Sequence, residues 1–265
     1  MFIAFSNKKY LTVLLVLLVI LTSPLSISAD AVKLPAFSPD IHLDHSKGSV
    51  ADEQSAQINI STLVLVNIGD LPDAADVDAL HGLPNGDVLF SLETSIELAG
   101  VLYRPNDVIR YDGASWSKEF NGSGEGVPDG VNVDAIAKSG ETLMFSIDVD
   151  ANFGGITVND ADIIAFNGIE FSVFLSASTS GISQASDIDA LHINDQGRVL
   201  VSLDGAGTEG GVQYRDEDLL AWDSPNWSME FDGSSDDAAW QAADLDAWSN
   251  AFLDDNLFSD SFEGN

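Results

Sequence analysis

The chain has 265 residues, no cysteine and a formal net charge of −33. Without cysteine it has no disulfides, thiol catalysis, Cys-based zinc site or lipid-modified cysteine anchor. Its acids run along the whole length, which excludes nucleic acid as a partner and disfavours anionic lipid, since phosphates need basic surfaces.

The first residues read as an export signal. Lys8 and Lys9 precede an apolar run from Leu11 to Leu21, followed by Pro24 and the small residues Ser26, Ser28, Ala29 and Ala31. A basic region, a short apolar core and a small-residue cleavage site, in that order, form a secretory signal peptide. The core falls short of the roughly 20 residues that cross a bilayer as a helix. Residues 1–29 are therefore expected to be a cleaved signal, with the mature chain secreted or periplasmic. No later segment approaches spanning length.

Residues 32–75 contain strand-like pieces, Ile58-Asn-Ile60 and Leu63-Val-Leu-Val66, in a segment of weak periodicity. His42 and His45 in the same segment are candidates for half of a metal site. From Asp76 onward a short phrase recurs. It reads Asp76-Val-Asp-Ala-Leu80, Asn132-Val-Asp-Ala-Ile136, Asp187-Ile-Asp-Ala-Leu191 and Asp244-Leu-Asp-Ala-Trp248. The second acid of the phrase (Asp78, Asp134, Asp189, Asp246) returns after 56, 55 and 57 residues. So steady a period marks a repeat architecture. Other landmarks keep the same spacing: Ser91, Ser146 and Ser202; Gly100, Gly155 and Gly211; Asp107, Asp162 and Asp218; Trp116, Phe171 and Trp227.

Four strands are predicted per unit. The first is the phrase itself, Val77–Leu80. The second is Val88–Leu92, apolar or small on both faces and so expected to be covered on both sides. The third is Val108–Tyr111. The fourth, Trp116–Phe120, alternates apolar and polar residues like a half-exposed edge. Turn residues separate them, most tellingly Asn167-Gly168. The units are 76–131, 132–186 and 187–243. A partial fourth begins at 244 and is completed by 32–75. One β-repeat domain then covers 30–250, ahead of an acidic tail, 251–265. A single meander cannot cover both faces of its second strand, but radial stacking of copies can. The expected fold is all-β: four-stranded antiparallel meanders forming a small four-bladed β-propeller closed by both chain ends. A three-fold, β-trefoil-like fold is the alternative.

The phrases DVDAL, VLFSL, NDVIRYDG and WSKEFNGS, over residues 76–248, resemble a repeat of exported bacterial proteins that reads DVDAL…SFDT…DEDIV.FDG..WS.YFDGS. The second unit departs from it, with Ala137 in place of His81 and His192, and Phe174 in place of Glu119 and Glu230. The resemblance implies export and a repeat architecture, and no mechanism.

Three groups of residues are candidates for chemistry. Asp148, Asp150 and Asn152, followed by Gly154-Gly155 and by Asp160 and Asp162, offer alternating oxygens in a glycine-bearing stretch. That suits Ca²⁺, a hard ion taking six to eight oxygens; the competing reading is solvated turn acids. The signature aspartates sit in apolar strands and need partners. Either they accept backbone N–H groups at the start of each blade, or they form a carboxylate ring around a central channel. Asp107, Asp162 and Asp218 read as turn caps. Tyr103, Trp116, Trp227 and Trp240 are candidates for stacking on sugars, against a core role for the repeated tryptophans. There is no G-x-S-x-G nucleophile elbow. The expected function is that of an exported, non-enzymatic protein binding a surface ligand or glycan, stabilised by Ca²⁺. The alternative is an extracellular hydrolase with carboxylates lining the channel.

Overall fold

The computed structural model describes residues 34–51, 53–58, 63–194 and 196–251. The predicted signal peptide, Asn59 and Ile60 of the first strand-like piece, and the acidic tail from 252 on lie outside the described residues. No helix among the described residues is long and apolar enough to cross a membrane.

The fold is a four-bladed β-propeller built from four antiparallel four-stranded sheets. Blade 1 runs outward from Ala79–Gly82 through Val88–Ser91 and Asp107–Tyr111 to Trp116–Asn121. Blade 2 runs from Ile136–Ser139 through Thr142–Phe145 and Ile163–Phe166 to Phe171–Leu175. Blade 3 runs from Ala190–Ile193 through Val199–Ser202 and Leu219–Asp223 to Asn226–Phe231. Blade 4 joins the two ends of the chain. Its inner strand, Leu245–Ala251, pairs antiparallel with Leu34–Pro39, which leads to Ala56–Ile58 and the outer strand Leu63–Leu65. The three-fold alternative is thereby excluded.

The core lies between blades. Four apolar clusters fill the four gaps between neighbouring sheets. Leu89 and Phe90, adjacent on a second strand, are both fully buried, one in each flanking cluster. That is what an apolar strand covered on both faces requires. Hydrogen bonds add to the packing. Ser91 Oγ donates to the carbonyl of Val133 and Ser146 Oγ to that of Ile188, each reaching the next blade just before its signature aspartate.

The structure differs from the predicted strands in two respects. The inner ladder of blade 1 begins at Ala79 and not at Val77, and blades 2 and 3 start as late. In these three blades the signature aspartate therefore stands just ahead of the ladder, whereas Asp246 of blade 4 lies within the inner strand Leu245–Ala251. Each blade also carries a short extra hairpin between its second and third strands, Ile96–Leu98 with Val101–Tyr103 in blade 1. Its two-residue turn, Ala99-Gly100, has φ of 51° and 82°, which explains the repeated glycine. The corresponding hairpins are Ala151–Phe153 with Ile156–Val158, Gly207–Glu209 with Val212–Tyr214, and Leu43–His45 with Gly48–Val50.

Side chains reinforce the closure. Leu245, Ala247 and Trp248 are buried, and Trp240 packs edge-on against Phe37 at 5.0 Å. His45, buried in the blade 4 hairpin, meets Asp236 of blade 3 at 2.7 Å, and the Ser46 amide donates to Asp237. Burying a large apolar side chain is worth about 1.5–3 kcal/mol, against about 5–15 kcal/mol for a whole domain. Truncation after Ala243 is thus expected to abolish cooperative unfolding of the entire ring, read by circular dichroism during a thermal melt. Retention of the full-length melting temperature would contradict the closure.

Candidate functional site

Two aspartates recur in every complete unit, and the fold treats them differently. Asp107, Asp162 and Asp218 are caps. Each accepts one backbone N–H from three residues earlier, at 2.9–3.1 Å (Arg104, Asn159, Arg215). Each also accepts a second from the turn that follows the outer strand, at 2.8–3.1 Å (Gly122, Ala177, Gly233). The pair of bonds fixes the start of the third strand to the end of the fourth. The repeated spacing had already suggested this role.

The signature aspartates take no such bonds. The backbone N–H at the blade start is satisfied instead by an acid just after the second strand. Asp148 accepts from the amide of Asn132, Asp204 from that of Asp187 and Asp40 from that of Asp244, at 2.6–2.9 Å. Glu93 holds the same place in blade 1, where its amide donates to the carbonyl of Asp76. Three rings of four residues therefore meet at one end of the channel. The first is Asp78, Asp134, Asp189 and Asp246. The second is Asp76, Asn132, Asp187 and Asp244. The third is Glu93, Asp148, Asp204 and Asp40. Ten of these twelve side chains, nine carboxylates and one amide, line a single cavity of about 330 Å³. Among the described residues no lysine or arginine lines it. Basic side chains pair elsewhere, Arg110 with Asp87, Lys118 with Asp107, Lys138 with Glu119, and Arg198 with Glu230.

Enclosure and mutual repulsion show in the ionisation of these acids. Burial, reinforced by Asp187 and Asp78 nearby, pushes Asp134 up to about 9. Burial with Asp244 and Asp40 nearby does the same to Asp246, also to about 9. Asp189 is raised well above the ordinary carboxylate range, again chiefly by burial. Asp78 rises only to about 7, because Asn132 replaces an acid in the second ring and its Nδ2 donates to Asp78 Oδ2. One amide thus relieves one contact of four. Asp187 and Asp244 are raised to about 7, mainly by desolvation.

Of the five residues singled out for calcium, Asp150 and Asp160 meet at the base of the unpredicted hairpin, where the Asp160 amide donates to Asp150 Oδ1 at 3.4 Å. Asp148 belongs to the acid cavity. Asp150 accepts from Asn159 Nδ2 at 2.6 Å, outside that cavity. Asn152 lies on a hairpin strand and accepts from Thr157 Oγ1. Asp160 caps the amide of Ala161, and Asp162 has both oxygens on backbone donors. Among the described residues no three His, Asp or Glu side chains converge closely enough to grip a bare metal ion. His42 pairs with exposed Asp44 while His45 turns inward, so the two do not act together. His81 and His192 are buried with ring centroids 5.9 Å apart, and burial holds His81 neutral, near 3. Tyr103, Trp227 and Trp240 are buried. Trp116 is half-buried, its Nε1 donating to the carbonyl of Ile68, so none of the four offers an open face to a sugar.

No family model matches the chain, and no curated protein matches it. Solved structures are similar at low identity. One is the extracellular domain of a putative one-component system from B. thetaiotaomicron, at 10% identity and TM-score 0.33, covering 74% of this chain and 21% of that one. Another is YCF48 from Cyanidioschyzon merolae, at 12% identity and TM-score 0.31, covering 74% and 56%. A third is an inactive variant of virginiamycin B lyase from Staphylococcus aureus, at 13% identity and TM-score 0.28, covering 72% and 54%. The chain spans between a fifth and somewhat over half the length of these proteins. Likenesses of this size carry no functional argument.

The raised acids set a pH dependence. Their folded-state pKa values lie above the unfolded carboxylate value, so the stability they contribute is complete at low pH. It is lost as pH climbs through about 7 to 9. With divalent cations chelated, the melting temperature is expected to fall between pH 6 and pH 9. Asp134→Asn with Asp246→Asn is expected to flatten that fall. A melting temperature that holds steady or rises over this range would show that the carboxylates are not enclosed together.

Proposed function

We propose that this protein is an exported, non-enzymatic binding protein whose ligand presents positive charge to the acid-lined mouth of the propeller. One observation carries this reading: nine carboxylates drawn from all four blades line one cavity with no basic side chain among the described residues. Export is supported by the predicted signal peptide. A field of this density raises the local concentration of cations and speeds their capture.

The hydrolase reading receives less support. The cavity lining contains no serine, threonine, histidine or lysine to serve as nucleophile or alternative base. The glycan reading loses its stacking surface with the burial of the aromatic residues described above.

The test is calorimetric titration of the purified mature chain with two organic cations, spermidine and a short lysine-rich peptide, at low salt. Binding that weakens as salt rises, and at least tenfold in Asp76→Asn with Asp187→Asn, is the expected result. Absence of binding by both probes at low salt would overturn the reading.

A further inference from the structure

Each complete unit holds its cap aspartate beside the extra hairpin, and the three units fill that place differently. In blade 1 the unit's own lysine fills it. Lys118, on the outer strand, donates to Asp107 Oδ2, and its ammonium stands 5.7 Å from the centre of the Tyr103 ring. In blade 2 two valines take the corresponding positions, Val158 for Tyr103 and Val173 for Lys118. In blade 3 the acid and the ring are kept, as Asp218 and Tyr214, but the lysine is not. Met229 pairs with Leu220 there as Lys118 pairs with Ile109. Asp218 Oδ2 accepts the amide of Arg215 at 2.9 Å, as Asp107 Oδ2 accepts that of Arg104, so the two acids are aimed alike. Where the lysine is missing there is space. A cavity of about 630 Å³ opens between hairpin and outer strand, with Asp218, Tyr214 and Met229 in its wall. Ordinary ligand sites measure about 300–1,000 Å³. Gly207 contributes to its shape: it replaces Ile96 of blade 1, and a Cβ there would meet Tyr214 Oη at 2.4 Å.

We propose that the blade 3 cavity binds a primary alkylammonium group, the chemistry of a lysine side chain, seated on Asp218 beside Tyr214 as Lys118 is seated in blade 1. The chain itself thus shows the occupant that this acid and ring accept. The charges of the lining agree. Asp232, where blade 1 has Asn121, adds a second carboxylate to the wall. The one guanidinium there, Arg215, is 3.5 Å from Glu217. Blade 1 carries Arg104 at the same position and still holds an ammonium, so the guanidinium does not keep one out. Met229 offers a flexible apolar surface to the alkyl stem. Among the described residues no lysine lines the cavity, and none of its lining residues lines the acid-lined mouth. The site is therefore separate from the mouth and does not rest on the reading given for it.

The test is a carbon NMR titration of the mature chain labelled at its methionine methyl groups, in about 150 mM salt to screen exposed charge. The probes are Nα-acetyl-lysine amide, the same compound acetylated on its side-chain amine, and n-butylamine. Met229 reports on the cavity, and Met144, buried in the core, is the internal control. A saturable shift of the Met229 signal with the lysine compound is expected, with Met144 unmoved. Acetylation of the side-chain amine is expected to weaken binding at least tenfold. Binding of n-butylamine as tight as that of the lysine compound would assign the site to free amines, and weaker binding to lysine in a peptide. Met229→Lys restores the lysine of blade 1. It is expected to fold, and to lose binding at least tenfold as read from the amide signals of Thr208 and Gln213. The proposal is overturned if the acetylated compound binds equally well, or if Met229→Lys binds like the wild type. It is equally overturned if Asp76→Asn with Asp187→Asn abolishes the Met229 shift, which would place the probe at the mouth. Failure of spermidine to bind at low salt would remove the reading of the mouth and leave this site standing.

Discussion

Four inner strands packed side by side have one geometric consequence on which everything else depends. Whatever residue begins an inner strand is presented four times within a single small space. Here an aspartate stands at that end in all four blades, one or two residues ahead of the inner strand in three and one residue into it in the fourth, and the two flanking ring positions add seven more acids and one amide. Like charges at such separations repel strongly once water is partly excluded. The ring therefore closes against an electrostatic load at its own centre.

Packing between the blades supplies the force that holds it closed. Each second strand contributes to two apolar clusters, so every gap is filled from both sides. The aromatic cluster of Phe120, Phe145, Phe166 and Phe171 in one gap shows how much apolar surface is withdrawn from water there. The fourth gap is sealed by chain ends, through Trp240, Trp248 and Phe37. Among the described residues, the lysines and arginines that pair with acids do so away from the acid-lined cavity.

Much of the architecture was legible in sequence because it is written in repeated landmarks. The period gave the blades, the two-sided Val88–Leu92 pattern gave radial stacking, and the orphaned phrase at Asp244 gave closure through residues 32–75, though not the strand Leu34–Pro39 that makes the pairing. The extra hairpin was missed because its strands are only three residues long and half-exposed, too short for periodicity to register. Its one signal was the repeated Gly100, Gly155 and Gly211. The hairpin in turn brings Asp150 and Asp160 together at its base and projects Asn152 away on one of its strands.

The candidate site was legible only in part. The signature aspartates stood out, and a carboxylate ring was one of two readings available for them. Sequence alone could not show which acid takes the backbone N–H, because that depends on strand register. The answer is the acid after the second strand: Asp148, Asp204 and Asp40. Asp40 was missed although Phe37-Ser38 repeats Phe90-Ser91 and Asp40 stands two residues after Ser38, as Asp148 and Asp204 do after Ser146 and Ser202, because no period had been sought ahead of Asp76. The account stands or falls on the crowding of carboxylates in one cavity. The most direct measurement is a carbon NMR titration of the aspartate carboxyl groups of the mature chain with divalent cations chelated. Midpoints of about 9 for Asp134 and Asp246 are the expected result. Midpoints in the ordinary carboxylate range would contradict it.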